Sequence, residues 1–323
     1  MTVTTGESRL SDWRVAAGVI AVLHVAGFGV LLAVVLPSGV AYGSGGGGLS
    51  AVAVGLGAYA LGMRHAFDAD HIAAIDNTTR RLLRRGRPST TVGLWFSLGH
   101  SSVVMGLCVL LIAGLSAIGR TLDDDSSALH TVTGVWGPVV SALFLLVIAG
   151  VNAWSLRGGA DAPAGGPVWR LVGRMEQVID RPSRMFGVGL AFGLGFDTAT
   201  EIGLLALAGG AAVSSAPWWA VLALPLLFAA GMSLLDTAQG AVMRRAYGWP
   251  GGSNYRLTMT LISAAAALAI AGVQLAGVGA ERLGLGGPVG WVAGIDLETA
   301  GIGLTVVLLC LWAVVFVRVR RLT

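Results

Sequence analysis

The sequence contains no lysine and few charged residues of any kind. All 21 cationic residues are arginines, and charged residues fill 12% of the 323 positions, about half of the roughly 25% found in soluble proteins. Hydrophobic residues fill 55%, and apolar runs recur that exceed the ~20 residues needed to cross a bilayer. The composition argues against a soluble fold and predicts an all-α integral membrane protein.

The sequence lacks the residues that several kinds of functional site require. The only two cysteines, Cys108 and Cys310, lie far apart in apolar runs, so neither a disulfide framework nor a thiolate metal site is indicated. There is no phosphate-binding G-x-x-x-x-G-K-[ST] motif and no H-E-x-x-H motif. The arginines do not cluster as a nucleic-acid-binding face would require. We therefore expect no nucleotide or nucleic-acid partner, no cofactor and no enzymatic activity, and the sequence leaves protein partners undefined.

Eight apolar segments are long enough to cross a lipid bilayer. They are predicted near residues 13–36, 51–76, 91–118, 131–156, 186–211, 217–243, 257–280 and 291–317. Eighteen of the 21 arginines then fall in tails and connections on one side, including Arg80, Arg81 and Arg84, whereas Arg120 and Arg282 fall on the other. The positive-inside rule predicts a multi-pass inner-membrane protein with both termini in the cytoplasm.

The chain is predicted to be a single polytopic membrane domain with an internal repeat. A cytoplasmic loop of about 157–185 separates a first half, about 1–156, from a second half, about 186–323. Three ordered matches relate the halves: VIAVLHVA (19–26) with VIAGVNAW (147–154), FDADHI (67–72) with FDTATEI (196–202, one insertion), and FSLGHS (96–101) with FAAGMS (228–233). The arginine topology gives the two triplets opposite directions, which predicts a 3+3 inverted repeat followed by two C-terminal helices. The alternative is convergent glycine- and alanine-rich composition.

Ionisable side chains occur inside the predicted spans, where each is unfavourable unless it faces a partner or an aqueous path. Histidine and carboxylate together are ligands of borderline divalent metals such as Ni²⁺, Co²⁺, Fe²⁺, Mn²⁺ and Zn²⁺. The alternative is a proton relay or a structural ion-pair network. We predict metal ligands at His24, His65, Asp68, Asp70, His71 and His100, an ion path that adds Asn152, Asp197, Thr198, Glu201, Met232 and Asp236, and an ion pair of Arg64 with Asp68.

Helical geometry leaves the role of Asp70 undecided. At 100° per residue, a continuous helix places His65, Asp68 and His71 within a 120° arc, with Asp70 roughly opposite. Either Asp70 orients an imidazole through its other ring nitrogen, or the helix is unwound there and both carboxylates turn inward. In the fifth span, Asp197 and Glu201 are spaced four residues apart and would share one helix face.

Four strings resemble the signatures of the nickel/cobalt transporter family. They are RHAFDADHIAAIDN (64–77), LGHSSVV (98–104), LGFDTATEI (194–202) and GMSLLDTAQG (231–240), in the family's order and in corresponding spans. The first contains the family's His-x4-Asp-His pattern as His65, Asp70 and His71. The fourth departs from the common pattern at Gln239, where the family often has Asp.

The resemblance implies eight transmembrane helices and high-affinity import of Ni²⁺, Co²⁺ or both. The expected function is therefore a secondary permease, with the divalent ion and the lipid bilayer as its partners. An exporter of the same superfamily, an intramembrane metalloenzyme and a proton-coupled transporter of an organic solute are the alternatives. The absence of a histidine-rich loop favours uptake over export, and the absence of a hydrolase motif disfavours the enzyme.

Overall fold

A computed structural model describes residues 4–39, 51–113, 128–154, 180–195, 199–213, 216–247 and 253–320. Over these ranges the only regular structure is helical, which confirms the predicted all-α class. The helices are α1 (Thr4–Val30, continued by a π-helical segment, Leu31–Val35), α2 (Ala51–His65), α3 (Ala69–Arg84), α4 (Val92–Ile112), α5 (Ala128–Trp154), α6 (Met185–Gly193, after a 3-10 turn, Pro182–Arg184), α7 (Ala199–Val213), α8 (Trp218–Tyr247), α9 (Ser253–Leu283), α10 (Pro288–Ala293) and α11 (Leu297–Arg320).

Five helical segments in the described ranges are long and apolar enough to cross a membrane. They are Asp12–Val35, Val92–Ile112, Val135–Asn152, Trp218–Tyr247 and Leu257–Leu283. They coincide with the first, third, fourth, sixth and seventh predicted spans. The chain is therefore a membrane protein. The count of eight crossings stays a prediction. The second and fifth predicted spans are interrupted, and the eighth contains α11, a helix of 24 residues.

The second predicted span is not one continuous helix. Helix α2 ends at His65 and α3 begins at Ala69, and Asp68 between them has an extended backbone, with φ −60° and ψ 136°. Of the two alternatives for this segment, the structure has the interrupted helix, so the 120° arc does not apply. Non-helical backbone at membrane depth is tolerated only where protein buries it or where it lines a cavity.

Close packing by α11 covers this interruption. A Cβ atom added at Gly301 would lie 1.9 Å from the carbonyl oxygen of Phe67 and 2.8 Å from the backbone nitrogen of Ala69. Only a glycine allows the backbone of α11 to approach the unwound segment this closely. The interruption at 66–68 is therefore packed against a helix far along the chain.

The fifth predicted span is also interrupted. Helix α6 ends at Gly193, α7 begins at Ala199, and Leu194 and Gly195 between them are not helical. Asp197 and Thr198 lie outside the described residues, so the predicted shared face of Asp197 with Glu201 remains untested. The second and fifth spans occupy corresponding places in the predicted repeat, and interrupted helices at corresponding places typify the substrate-binding regions of transporters.

The chain forms two compact units, each built from three stretches of sequence. The first comprises Met1–Ala66, Leu94–Gly137 and Phe186–Thr237, and the second comprises Phe67–Gly93, Pro138–Met185 and Ala238–Thr323. In the first unit, α2 packs against α7 and against the π-helical segment. In the second unit, α3 packs against α9 and α11, and α9 packs against α10.

Two glycine-mediated helix crossings in the first unit share one register. Where α4 meets α6, a Cβ added at Gly99 would lie 2.0 Å from the Phe186 carbonyl oxygen, and one at Gly189 would lie 1.9 Å from that of Phe96. In each helix the glycine follows the carbonyl residue by three positions. Small residues allow the backbones of membrane helices to approach this closely.

The crossing of α2 with α8 repeats this arrangement. A Cβ at Gly62 would lie 2.1 Å from the Phe228 carbonyl oxygen, and one at Gly231 would lie 2.5 Å from that of Tyr59. The spacing between carbonyl residue and glycine is again three. The predicted repeat aligns 96–101 with 228–233 and so pairs the phenylalanines and glycines of the two crossings. This shared register supports the internal repeat over convergent composition.

The structure corrects the predicted second connection. Arg80, Arg81 and Arg84 are not loop residues, because α3 continues to Arg84. The side chains of Arg80 and Arg81 are buried, since α3 packs against α9 and α11. The predicted span ends at residue 76, whereas the helix continues to Arg84. Hydropathy does not detect that Arg80 is bonded by groups of α8 and α9.

Candidate metal site

Three ligand-type side chains converge in the first unit from three helices. His65 is the last residue of α2, His100 lies in α4, and Glu201 lies in the first turn of α7. Their exposed fractions are 1%, 2% and 0%, respectively. Such complete burial of a carboxylate requires strong polar partners.

The facing atoms of the three side chains lie within bonding range. His65 Nε2 and His100 Nε2 are 2.9 Å apart, and His100 Nε2 is 2.6 Å from Glu201 Oε1. His65 Nε2 is 4.0 Å from the same carboxylate oxygen. Two imidazole nitrogens and one carboxylate oxygen therefore face a common point.

The three atoms are close enough to share one ion. The point in their plane that is equidistant from them lies about 2.0 Å from each. Bonds of nitrogen and oxygen ligands to a divalent metal are about 2.0–2.2 Å long.

Aromatic rings surround the two histidines. The Phe228 ring centroid is 5.6 Å from that of His65, and the Phe96 centroid is 6.4 Å from that of His100. Phe192 packs edge-on against Phe96 at 5.3 Å. These walls exclude water and lower the local dielectric constant, so the attraction of a cation to the carboxylate is stronger than it would be in water.

The backbone around His100 is held by close helix contacts. Gly99 precedes it at the crossing with α6, and a Cβ added at Gly193 would lie 2.9 Å from the His100 carbonyl oxygen. The next residue, Ser101, donates a hydrogen bond to the Met232 sulfur at 3.5 Å, and Ser97 donates to Ser233 at 3.0 Å. Helices α6 and α8 thus fix the part of α4 that carries this imidazole.

His24, predicted as a metal ligand, bonds a tyrosine in the first unit. Its Nδ1 is 2.8 Å from the Ile20 carbonyl oxygen and its Nε2 is 3.2 Å from the Tyr59 hydroxyl. A carbonyl can only accept, so Nδ1 carries the proton and Nε2 accepts from Tyr59. The nitrogen suited to a metal is therefore occupied by a hydroxyl donor.

Asp70 is bonded by neutral donors in the second unit. Its Oδ1 accepts from the backbone N–H of His71 at 2.8 Å, and its Oδ2 accepts from Ser141 at 3.0 Å and from Gln274 at 3.1 Å. Asp70 does not bond an imidazole nitrogen in these contacts. It thus differs from the predicted alternative in which it orients a histidine ring.

Asn152, predicted in the ion path, belongs to a buried polar network. The Asn152 amide donates a hydrogen bond to Asn77 Oδ1 at 3.0 Å, and its oxygen accepts one from Arg84. Arg80 donates to the same Asn77 oxygen at 2.5 Å. Burial and the charges of Arg80 and Arg81 lower the pKa of Arg84 to about 10. Guanidinium groups dominate this region, and they would repel a divalent cation.

The same network continues to α8 and α9. The Tyr247 hydroxyl donates a hydrogen bond to the Asp76 carboxylate at 2.5 Å and bonds the Ser263 hydroxyl at 2.9 Å. The Arg80 guanidinium lies 5.7 Å from the centre of the Tyr247 ring. It also donates to the Met259 carbonyl oxygen at 3.2 Å. The network joins α3 to α5, α8 and α9 within the second unit.

Most of the remaining predicted residues are buried. Asp68 and His71 are buried in the second unit, Met232 and Asp236 are buried in the first, and Arg64 is exposed in the last turn of α2. The Arg64–Asp68 pair stays a prediction. Sequence reasoning missed Tyr59, Asn77, Ser141, Tyr247 and Gln274. Extending the search inside the predicted spans to uncharged polar side chains would have flagged Tyr59, Ser141 and Gln274.

Comparison with known proteins identifies the fold's family. The family model described as high-affinity nickel-transport protein matches residues 51–164 and 159–318. The chain belongs to this family of nickel-transport proteins. No solved structure matches the chain.

Family members with similar sequences are named for nickel or cobalt. Nickel transporter NicT of Mycobacterium tuberculosis is 44% identical, over 94% of this chain and 87% of the relative. Nickel transporter NixA of Staphylococcus aureus is 37% identical, over 97% and 95%. Cobalt transport protein NhlF of Rhodococcus rhodochrous is 38% identical, over 81% and 77%. The names describe transport rather than catalysis, which confirms the prediction of a transporter over a metalloenzyme.

Proposed function

We propose that the protein is a secondary permease that imports Ni²⁺, and Co²⁺ as a related substrate, across the inner membrane. The observation that carries the proposal is the convergence of His65, His100 and Glu201 on a point about 2.0 Å from each ligand atom, the length of a bond to a divalent metal. The nickel and cobalt named for the relatives supply the substrate class.

The ligand types favour a borderline divalent ion. Two imidazole nitrogens and one carboxylate oxygen suit such ions, and the affinity of a site of this kind rises from Mn²⁺ through Co²⁺ to Ni²⁺.

The membrane potential is sufficient to drive uptake. A divalent cation that enters down a potential of about 100 mV, negative inside, gains about 4.6 kcal/mol, equivalent to roughly 2,000-fold accumulation. The sequence has no nucleotide-binding motif, so the proposal needs no ATP. Asp70 and His71 of the family's His-x4-Asp-His pattern remain further proposed ligands, together with Asp68 in the same signature string.

The proposed orientation has both termini in the cytoplasm. It is supported by the arginine distribution, because Arg14 near the N-terminus and Arg318 and Arg320 near the C-terminus lie on the same predicted side as the long loop. Reporter fusions that are active only in the cytoplasm should be active at both termini. Activity at one terminus alone would contradict an even number of crossings.

Isotope uptake tests the metal site and the direction of transport together. Cells that express His65→Ala or His100→Ala should accumulate no ⁶³Ni²⁺ above background, while cells with the wild-type chain should accumulate it. Immunoblots of membranes establish that the variants are present. Wild-type uptake by both variants would refute the site, and ⁶³Ni²⁺ loss from preloaded wild-type cells would indicate export.

A further inference from the structure

The Asp70 carboxylate is the meeting point of three helices in the second unit. One donor is the N–H of His71 in its own helix, α3, and the others are the hydroxyl of Ser141 in α5 and the amide of Gln274 in α9. Asp70 belongs to the first family signature. Ser141 and Gln274 lie outside all four signatures.

Both outer donors are polar residues buried in apolar helices. Ser141 is 1% exposed and Gln274 is 8% exposed, and each lies within a segment apolar enough to cross a membrane. A polar side chain in that environment is unfavourable unless it has a partner. Their shared partner is Asp70 Oδ2, and the amide must present its NH₂ group because its oxygen would repel the carboxylate.

The Asp70 carboxylate also bonds the backbone of α3, so the contacts with Ser141 and Gln274 affect the position of that helix. The first N–H groups of a helix have no partner within the helix, and Asp70 Oδ1 accepts the N–H of His71 in the first turn of α3. That turn follows the interruption at 66–68, where the helix itself gives no support. The position of the carboxylate therefore fixes the position of the turn.

We propose that Ser141 and Gln274 are positioning residues for ion uptake. They hold the Asp70 carboxylate in place and, through it, the first turn of α3 with Asp70 and His71 in the arrangement that accepts the ion. The inference rests on the proposed function. It assigns a role to residues of the fourth and seventh predicted spans, which contain none of the signature strings.

An isosteric pair of variants tests the role of the hydroxyl. Ser141→Thr keeps the donor and Ser141→Val removes it, and the two side chains have nearly the same shape. Loss of the donor lets the Asp70 carboxylate leave the position that accepts the ion, so Ser141→Val should raise the apparent KM for ⁶³Ni²⁺ uptake by roughly tenfold. Ser141→Thr should keep a KM near that of the wild type.

A second pair tests the amide. Gln274→Met removes the donor at similar length and should raise the KM to a similar extent, with the maximal rate per transporter changed less. Leu275→Ala alters the next residue of α9, which is 40% exposed, and should leave the KM unchanged. Quantified immunoblots of membranes normalise each rate. If one donor-free variant is absent from the membrane, the other decides.

The outcomes separate this inference from the proposed function. Equal KM values for Ser141→Val and Ser141→Thr, or for Gln274→Met and Leu275→Ala, would overturn the positioning role. A fall only in the amount of transporter, with KM unchanged, would overturn it as well. Uptake by His65→Ala and His100→Ala would instead refute the proposed metal site.

Discussion

The Nε2 atoms of His65 and His100 lie 2.9 Å apart, although the residues belong to different helices, α2 and α4. Two imidazoles can share one proton at this distance, or both can bind one ion. Glu201 Oε1 lies 2.6 Å from the second nitrogen and adds the negative charge that attracts a cation. The proposed ion site therefore consists of the two histidines together with the carboxylate.

Removing the charge of Glu201 should weaken ion binding more than it weakens the fold. Glu201→Gln keeps the size and polarity of the side chain but leaves the bound cation without its buried counter-charge. We expect the KM for ⁶³Ni²⁺ uptake to rise by about 10- to 100-fold, which corresponds to roughly 1.4–2.7 kcal/mol. Glu281→Gln, at a carboxylate that is exposed in α9, is the matched control. Equal KM values in the two variants would show that Glu201 does not face the ion.

The glycine crossings predict a sharp difference between two positions of α4. Gly99→Ala would place a Cβ 2.0 Å from the Phe186 carbonyl oxygen, whereas a Cβ at Gly106 meets nothing within 4 Å. Overpacking of this kind destabilises by about 1–3 kcal/mol or more. Gly99→Ala should lower the thermal unfolding temperature in detergent and the uptake rate, while Gly106→Ala should leave both unchanged. Equal stability of the two variants would contradict the close approach of α4 to α6.

The polar network of the second unit should contribute to stability through Tyr247. Tyr247→Phe removes the hydroxyl that donates to Asp76 and bonds Ser263, so a buried carboxylate loses a donor. The expected destabilisation is about 1–3 kcal/mol, measured as a lower unfolding temperature in detergent. Ser102→Ala, which removes an exposed hydroxyl bonded to its own helix, is the control. An unfolding temperature unchanged from the wild type in Tyr247→Phe would show that the network does not stabilise the fold.

His24 is predicted to influence the choice between nickel and cobalt. His24→Asn replaces an imidazole nitrogen with a weaker oxygen donor at similar size. If His24 turns to the ion during transport, the change alters the ligand type on which the affinity for divalent ions depends. We expect the ratio of ⁵⁷Co²⁺ to ⁶³Ni²⁺ uptake to change at equal expression. Tyr59→Phe, which releases His24 Nε2 from its hydroxyl partner, separates the effect of the ring from that of its bond. An unchanged ratio and unchanged rates in His24→Asn would show that His24 does not face the ion.

Several features followed from the sequence alone. The membrane environment, the positions of the apolar segments and the family signatures depend on local composition and residue order, which need no knowledge of packing. His65, His100 and Glu201 were all identified as ionisable residues in apolar spans. The repeat was also visible in short ordered matches, and the glycine spacing at Gly99 and Gly231 gives it structural support.

Only the tertiary structure decided which of these residues meet. Glu201 was predicted as part of an ion path, but α7 brings its carboxylate to the two imidazoles, while Asp70 bonds Ser141 and Gln274 instead. The sequence left the interruption after His65 as one of two alternatives and did not predict the burial of Arg80. Both depend on helices far along the chain, because α11 packs on the unwound segment, and α8 and α9 supply partners of the Arg80 guanidinium. Local hydropathy indicates whether a segment lies in lipid or in water, whereas long-range packing determines which group a polar side chain bonds.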